Sequence, residues 1–285
     1  MTTPIRLLLA CAGFAAATFV AAPHAQTTPK PVKALRLYVF DNGAINGLDT
    51  KLFGFERSQV KEPDFTVQSY LVVHPRGTLM FDAGAIPDGD FKGPEPVVEG
   101  VVTATKPLLP QLAAAGYTPA DVNFLALSHY HSDHTANANA FAGSTWIVQK
   151  AERDVMVGDA TVGIMQRAHF SALKNAKTVV LNNEDHDVFG DGTVVIHSTP
   201  GHTPGHQVLF VKLPKLGPVV LAGDLYHYPE ERTTGKTPTF EFNVEQSNAS
   251  RKRLEIFLKE TGARLWIEHD IATHAGLPKA PKYVE

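Results

Sequence analysis

The sequence is almost free of cysteine: of its 285 residues, Cys11 alone carries a thiol, whereas 13 are histidine. A single cysteine excludes an internal disulfide framework and every CxxC-type metal or redox motif. A bound metal would therefore be held by imidazole and carboxylate groups. An excess of positive charge is also missing, since 26 Lys and Arg stand against 29 Asp and Glu, a formal charge of −3. Nucleic acid is not an expected partner, because phosphate binding needs a concentrated basic surface.

The N-terminal segment has very little charge. Arg6 is the one charged side chain among the first 25 residues, and an apolar run from Leu7 to Ala22 follows it. This pattern predicts a secretory signal peptide, with cleavage near Ala25. The run is shorter than the ~20 residues of a membrane-spanning helix, and a retained membrane anchor is the competing interpretation. We expect residues 1–25 to be removed and residues 26–33 to form a flexible lead-in, leaving a periplasmic or secreted protein without a stable membrane anchor.

The rest of the chain, residues 34–285, contains no linker and no repeat that would divide it, so a single domain is expected. Apolar periodicity predicts helices at 108–115 and 250–261. Short apolar or alternating runs predict strands at 35–40, 66–74, 77–82, 122–127, 145–148, 178–181, 193–197, 206–213, 218–222 and 264–267. Strand pairs interleaved with helices are typical of a layered α/β sandwich.

Four candidate metal ligands follow the predicted strand at 122–127. They are His129, His131, Asp133 and His134, in the pattern HxHxDH. Imidazole nitrogen and carboxylate oxygen suit zinc and similar first-row ions. A loop at a strand end is able to turn the first two side chains towards one point and the last two towards another. A solvent-exposed polar loop is the ordinary alternative, but so many imidazoles packed together without metal would lack partners.

Three later positions supply the further ligands that a site for two metals would need beside HxHxDH. His202 lies in a turn with two Pro-Gly-type breaks, Asp224 directly follows an apolar strand, and His269 follows the last predicted strand. Taken singly, these residues have ordinary explanations as a turn cap, a helix N-cap and a core histidine. Together with HxHxDH, and in this order at strand ends, they predict two divalent ions with one carboxylate between them.

These motifs resemble those of the metallo-β-lactamase superfamily, in the order of that family and over most of the chain. The resemblance implies a single-domain αβ/βα four-layer sandwich, with the metal site at the edge where two β-sheets meet. It also implies a ligand set of two groups and a bridge: one metal on His129, His131 and His202, a second on Asp133, His134 and His269, and Asp224 between them.

Two further residues fit this resemblance without being ligands. Asp82, in the segment Leu-Met-Phe-Asp-Ala-Gly, would be a buried carboxylate that orients a loop or an imidazole. His206 is interpreted as a structural residue packed behind the turn that carries His202.

Members of the superfamily differ in ways that the sequence is able to test. True β-lactamases with two metals lack a bridging aspartate at the Asp224 position, and one subclass uses a cysteine there. Glyoxalase II carries a helical C-terminal substrate domain, for which the residues after His269 are too few. The chain is most similar to the N-acyl-homoserine lactonases, which share this ligand set and a long loop before the second strand.

The corresponding loop here is Asn42 to Asp64. With the adjoining Phe65, it carries apolar side chains that would either wall an acyl pocket or join the core: Leu48, Leu52, Phe53, Phe55 and Phe65. Many lactonases place a tyrosine three residues after the bridging aspartate, where it contacts the substrate carbonyl. This chain has His227 at that spacing, so Tyr226 or His227 is expected to do this work. The departure leaves aryl esters, organophosphates and β-lactams open as substrates.

The expected protein is an enzyme, a hydrolase that opens N-acyl-homoserine lactones (quorum quenching) with two divalent ions, zinc being the expected metal. A hydroxide between the ions would attack the lactone carbonyl, with Asp133 as ligand and proton shuttle. The partners expected are the small-molecule substrate and, since the apolar loop would equally serve a dimer, a second copy of the chain. A non-catalytic periplasmic metal-binding protein is the alternative class, although a structural metal is usually closed off by four ligands.

Overall fold

The computed structural model describes residues 32–159 and 162–285. The strands are β1 (Arg36–Ile45), β2 (Phe65–His74), β3 (Gly77–Phe81), β4 (Val97–Glu99), β5 (Val102–Ala104), β6 (Phe124–Ala126), β7 (Thr145–Gln149), β8 (Thr178–Leu181), β9 (His186–Asp187), β10 (Val194–Ser198), β11 (Gln207–Leu213), β12 (Gly217–Leu221), β13 (Arg264–Trp266) and β14 (Tyr283–Val284). The helices are α1 (Leu108–Ala114), α2 (Ser132–Thr135), α3 (Lys150–Val157), α4 (Pro229–Thr234), α5 (Val244–Thr261) and α6 (Ile271–Ala275).

The expected signal peptide, residues 1–25, and most of the lead-in at 26–33 lie outside the described residues. Within the two ranges that the structure describes, no helix combines the length and the apolar character needed to cross a membrane.

The strands form two sheets that pack face to face. The larger has the order β4-β5-β1-β2-β3-β6-β7-β8, with β14 also paired to β1, and the smaller has the order β13-β12-β11-β10-β9. Apolar side chains from both sheets fill the space between them, among them Val39 and Phe81 from the larger sheet and Leu209 and Trp266 from the smaller. Removing these side chains from water is the main favourable contribution to this packing.

Helices cover the outer faces of both sheets. On the larger sheet, Leu112 of α1 and Met156 of α3 join a core that includes Leu71 and Trp146. On the smaller sheet, Leu254 of α5 packs among side chains of β11 and β12. The layers therefore run helix, sheet, sheet, helix, and the predicted αβ/βα sandwich with a single domain is confirmed.

The predicted strands and both predicted helices are present, with shifted ends. β1 continues to Ile45, into the segment expected to be loop, because a bulge between Asp41 and Ala44 restores its pairing with β2. α5 begins at Val244 instead of Ser250, since the side chain of Asn243 caps it by accepting a hydrogen bond from the backbone N–H of Gln246. Strands β4, β5, β9 and β14 have only two or three residues, too few for a periodic pattern.

Candidate metal centre

The predicted ligands converge because their strands end at the same edge of the sandwich. β6 runs parallel to β3 in the larger sheet, and β13 runs parallel to β12 in the smaller. The segment after β6 carries the HxHxDH motif, Asp224 follows β12, and His269 follows β13. His202 lies in the turn that joins β10 to β11. Residues distant in the chain are thereby brought to one point between the two sheets.

Asp224 stands between two groups of ligands, and each of its carboxylate oxygens faces one of them. Oδ1 lies 3.1 Å from His134 Nε2 and 3.0 Å from His269 Nε2. Oδ2 lies 3.6 Å from His129 Nε2 and 3.5 Å from His202 Nε2. In each group the candidate ligand atoms lie within 4.8 Å of one another. We name these the three-histidine group (His129, His131 and His202) and the aspartate group (Asp133, His134 and His269), with Asp224 shared by both.

Several atoms that face this centre are suited to a cation. His129 Nε2, His134 Nε2, Asp133 Oδ1 and Asp224 Oδ1 are buried and form no hydrogen bond within the described part of the chain. A buried polar atom without a partner costs free energy, and a bound cation would remove that cost. Imidazole and carboxylate donors in two overlapping sets of four fit two divalent first-row ions.

In the aspartate group, the outer ring nitrogens of the histidines are held by the protein. His134 Nδ1 lies 3.1 Å from Asp82 Oδ2, and His269 Nδ1 lies 2.9 Å from the backbone carbonyl of Thr66. Asp82 is fully buried, and its Oδ1 accepts a hydrogen bond from the backbone N–H of Ser128 at 2.6 Å. Partners of this kind fix the ring orientation of a ligand, so Asp82 lies where the orienting role predicted for it requires.

In the three-histidine group, a carboxylate that the sequence did not reveal lies behind His202. Glu241 Oε1 is 3.3 Å from His202 Nδ1, and the other oxygen accepts a hydrogen bond from the hydroxyl of Ser247. Glu241 lies between α4 and α5 in a segment without any motif, 39 residues from His202. The alternation Phe240-Glu241-Phe242 was the available signal, since it exposes two aromatic side chains and buries the acid between them.

His206 holds the backbone that presents Asp224. Its Nε2 accepts a hydrogen bond from the backbone N–H of Asp224 at 3.0 Å, and its Nδ1 lies 2.8 Å from Thr199 Oγ1. The neighbouring Gly223 has φ +47°, and a Cβ there would come within 2.7 Å of Ser128 Cβ and 2.9 Å of His206 Nε2. Only glycine fits this close approach. The interpretation of His206 as a structural residue agrees with this contact.

The two ligand groups differ in charge. Burial lowers the pKa of His131 and of His202 to about 3, and that of His129 well below its usual range. Burial acts against the charged form of His134 too, but the surrounding carboxylates, Asp224 first among them, outweigh it and raise its pKa well above the usual value. The three-histidine group is therefore neutral near pH 7, whereas the aspartate group carries a proton that a cation would displace.

A cavity of about 450 Å³ opens over this centre. Of the five apolar residues that the sequence suggested as its wall, Leu48, Leu52, Phe53 and Phe65 do line it. Phe55 does not: it is 1% exposed and packs against Tyr228 in the core beneath the loop. Other apolar wall residues come from segments without a sequence motif: Val101, Val102, Val162, Ile164, Phe240 and Phe242.

The expectation for Tyr226 is wrong, whereas His227 lies in the cavity. Tyr226 is buried among side chains of α5 on the outer face of the smaller sheet, where its hydroxyl donates a hydrogen bond to Glu255 at 3.1 Å. His227 lines the cavity, and its Nε2 is 3.3 Å from Asp224 Oδ2. Neighbouring side chains point in opposite directions along extended backbone, which explains why only one of them reaches the cavity.

The fold and the paired ligand groups define the class of this protein. The model of the metallo-beta-lactamase superfamily matches residues 63–262, and the chain belongs to that superfamily. Among its relatives is the N-acyl homoserine lactonase AttM of Rhizobium johnstonii, 31% identical over 261 residues that cover 87% of this chain and 98% of the relative. A crystal structure of a quorum-quenching N-acyl homoserine lactone lactonase is similar with a TM-score of 0.74 at 23% identity, covering 90% of this chain and 100% of the other. AidC, a dizinc quorum-quenching lactonase, is similar with a TM-score of 0.62 at 20% identity, covering 90% and 95%.

Proposed function

We propose that this chain is a metal-dependent hydrolase that opens the ring of N-acyl homoserine lactones. The observation that carries the proposal is a centre for two cations on the floor of a cavity with an apolar wall. A substrate with a polar ester ring and an apolar acyl chain matches both parts. The lactonase AttM, similar over nearly its whole length, supports the same substrate class.

Zinc is the ion that we propose for both groups. Each group offers four donors, and five of the seven ligands are imidazoles, a set that zinc favours over magnesium or calcium. The dizinc relative AidC supports this choice. When bound, two such ions lower the pKa of water towards ~7 and polarise a carbonyl oxygen.

His227 is proposed to donate a hydrogen bond to the carbonyl oxygen of the lactone. Its Nε2 faces the cavity beside Asp224, and Glu231 Oε1 lies 3.6 Å from its Nδ1. Glu231 therefore lies behind the ring at ion-pair distance, without a hydrogen bond to it. A donor aimed at the oxygen where negative charge develops stabilises the transition state more than the bound substrate.

Asp133 is proposed to move the proton of the reaction. Its Oδ1 has no hydrogen-bond partner within the described residues, and the side chain lines the cavity. Water adds its oxygen to the acyl carbon, and the proton that it loses passes through Asp133 to the ring oxygen as the C–O bond breaks. The product is the open-chain hydroxy acid, and no serine or cysteine nucleophile is required.

We further propose that the protein is periplasmic or secreted and that residues 1–25 act as its signal peptide. The apolar run after Arg6 supports this, without stable membrane anchoring after cleavage. N-terminal sequencing of protein recovered from a periplasmic extract is expected to begin near residue 26. Recovery of the uncleaved chain in the membrane fraction would contradict the proposal.

The experiment for the enzymatic function is to purify the chain without chelator, measure its metal content and follow ring opening of N-hexanoyl homoserine lactone by proton release. We expect close to two divalent ions per chain and turnover that a chelator abolishes. Protein with metal that opens no lactone but rapidly hydrolyses a phosphotriester or a chromogenic β-lactam would overturn the substrate assignment. Protein that turns over lactone without metal would overturn the mechanism.

A further inference from the structure

A buried carboxylate lies behind the three-histidine group. Glu152, in the first turn of α3, is 1% exposed. Its Oε1 accepts a hydrogen bond from the backbone N–H of Tyr130 at 2.8 Å. Its Oε2 accepts two more, from Thr203 Oγ1 and from the backbone N–H of Gly205, both at 2.8 Å. One side chain therefore binds the segment before α2 and the turn between β10 and β11 at the same time.

These two segments carry all three histidines of the three-histidine group. Tyr130 lies between His129 and His131, and Thr203 directly follows His202. His202 Nε2 and His131 Nδ1 approach to 3.1 Å, although 71 positions separate them in the chain. Their spacing must therefore be set by contacts between the segments, and Glu152 is a carboxylate that contacts both.

The turn that carries His202 also packs directly against the start of α3. A Cβ at Gly205 would lie 2.6 Å from the backbone nitrogen of Glu152 and 2.7 Å from its Cβ, so a larger residue does not fit without displacement. This close approach places the Gly205 N–H within reach of the carboxylate. The contact is independent of the hydrogen bonds made by Tyr130 and Thr203.

Burying Glu152 carries a free-energy cost. Burial raises its pKa to about 7, against the effect of the donors of Thr203, Gly205 and Tyr130. No lysine or arginine forms an ion pair with it in the described parts of the chain. An apolar side chain would fill this position without that desolvation cost, but it would leave the backbone N–H groups of both segments unpaired.

We propose that Glu152 is a positioning residue that sets the spacing between the His129–His131 pair and His202, and thereby the affinity of the three-histidine group for its cation. The aspartate group has separate supports in Asp82 and the Thr66 carbonyl, so it is not affected. The inference rests on the proposed two-metal centre and not on the identity of the substrate.

The test is Glu152→Gln, measured by titrating the metal-free chain with zinc against a chromophoric chelator to obtain both stepwise affinities. An amide has the shape of the carboxylate, but in either orientation its NH₂ group meets a backbone N–H, of Tyr130 or of Gly205. We expect one affinity to fall about 10–100-fold, the loss typical of removing a partner outside the ligand shell, and the other to stay unchanged. The affected ion is identified by comparison, since it must be the ion lost in His202→Ala and retained in His269→Ala.

Asp154→Asn on the same helix is the matched control, because Asp154 is exposed and pairs with Lys150. It should leave both affinities unchanged. If Glu152→Gln does not fold, Thr203→Val decides, since it removes one of the three donors and should weaken the same ion by a smaller factor. Unchanged affinities, or a joint fall of both together with the melting temperature, would overturn the proposal. A lactone assay does not enter this test, so failure of the substrate assignment would be recognised separately.

Discussion

The three-histidine group and the aspartate group share one carboxylate but are supported in different ways. The aspartate group has a buried acid, Asp82, within 3.1 Å of its histidine His134. The three-histidine group has Glu241 at a longer 3.3 Å from His202, and Glu152 acts on it through the backbone N–H groups of Tyr130 and Gly205. The first group is thus held by a side chain that touches a ligand closely, and the second mainly by the spacing of two segments.

The two groups also differ in their protonation near pH 7. The three-histidine group consists of neutral imidazoles near pH 7, because burial lowers the pKa of each. In the aspartate group, Asp133, Asp224 and Asp82 surround His134 and favour its protonated form. One half of the centre is therefore ready for a cation, whereas the other must exchange a proton for it. Substitutions in the two halves should therefore have separable effects, and the largest effect is expected at the residue that joins them.

Asp224→Ala should have the largest effect, because it removes the carboxylate that faces both groups. We expect kcat/KM to fall by at least about 10³-fold, corresponding to the loss of several kcal/mol of transition-state stabilisation. Both zinc affinities should fall together, with the circular dichroism spectrum unchanged. Wild-type turnover in this variant would show that the bridging assignment is wrong.

His227→Phe should come next, since it removes the proposed hydrogen-bond donor but retains a flat ring between Phe53 and Phe65. Losing one such donor typically costs about 10²–10³-fold in kcat. The zinc affinities of both groups should change little, which distinguishes this variant from Asp224→Ala. His227→Tyr is the control: its hydroxyl supplies an O–H donor in place of the imidazole N–H, and it should recover part of kcat. Equal kcat values for His227→Phe and the wild type would contradict the role of His227 as the carbonyl donor.

The pH dependence of zinc binding should separate the two groups directly. A pKa raised at His134 means that the metal-free aspartate group holds a proton near pH 7, so binding releases it. Its affinity should fall by up to about tenfold per unit as the pH drops below that pKa. The pKa of His131 and that of His202 are about 3, so the affinity of the three-histidine group should stay flat between about pH 5 and 8. Zinc titrations at pH 5.5, 6.5 and 7.5 check this, since the affinity of the aspartate group should change by about 10²-fold over this range. Equal pH slopes for both ions would contradict the prediction.

Asp82→Asn and Glu241→Gln form a matched pair of acid-to-amide changes, one behind each group. Asn tolerates the positive φ of 60° at position 82 as well as Asp does, so the backbone is preserved. We expect Asp82→Asn to weaken the ion of the aspartate group by about 10–100-fold, and Glu241→Gln to weaken the other ion by less, because its contact is longer. Each variant serves as the control for the other. If both variants weakened the binding of the same ion, the two acids would not support separate ligand groups.

The sequence predicted the parts of this site that follow from local pattern. HxHxDH after β6 and the single ligands after β12 and β13 are visible because apolar strands end in residues with metal-binding chemistry. Strand ends of parallel strands meet at one edge, so their convergence was predictable as well. The partners Glu152 and Glu241 were not, since each reaches its contact across a large sequence separation and belongs to no motif.

Side-chain direction was the other feature that the sequence left open. Phe55 lies in the predicted wall segment but turns into the core, because the turn at Thr50–Phe53 ends at Gly54 in a left-handed conformation and reverses the chain. The same uncertainty applied to Tyr226 and His227. Which of two neighbouring residues faces a cavity depends on the local backbone, and composition does not report it.

Tyr226→Phe should therefore have the smallest effect. The hydroxyl lies on the outer face of the smaller sheet, bonded to Glu255, which also pairs with Arg232. Removing it should leave kcat, KM and both zinc affinities unchanged and lower the free energy of unfolding by about 1 kcal/mol, the net contribution of one hydrogen bond. Turnover and a urea unfolding curve measure these quantities. A loss of kcat comparable with that of His227→Phe would mean that Tyr226 turns into the cavity when substrate binds, and the assignment of the carbonyl donor would pass to it.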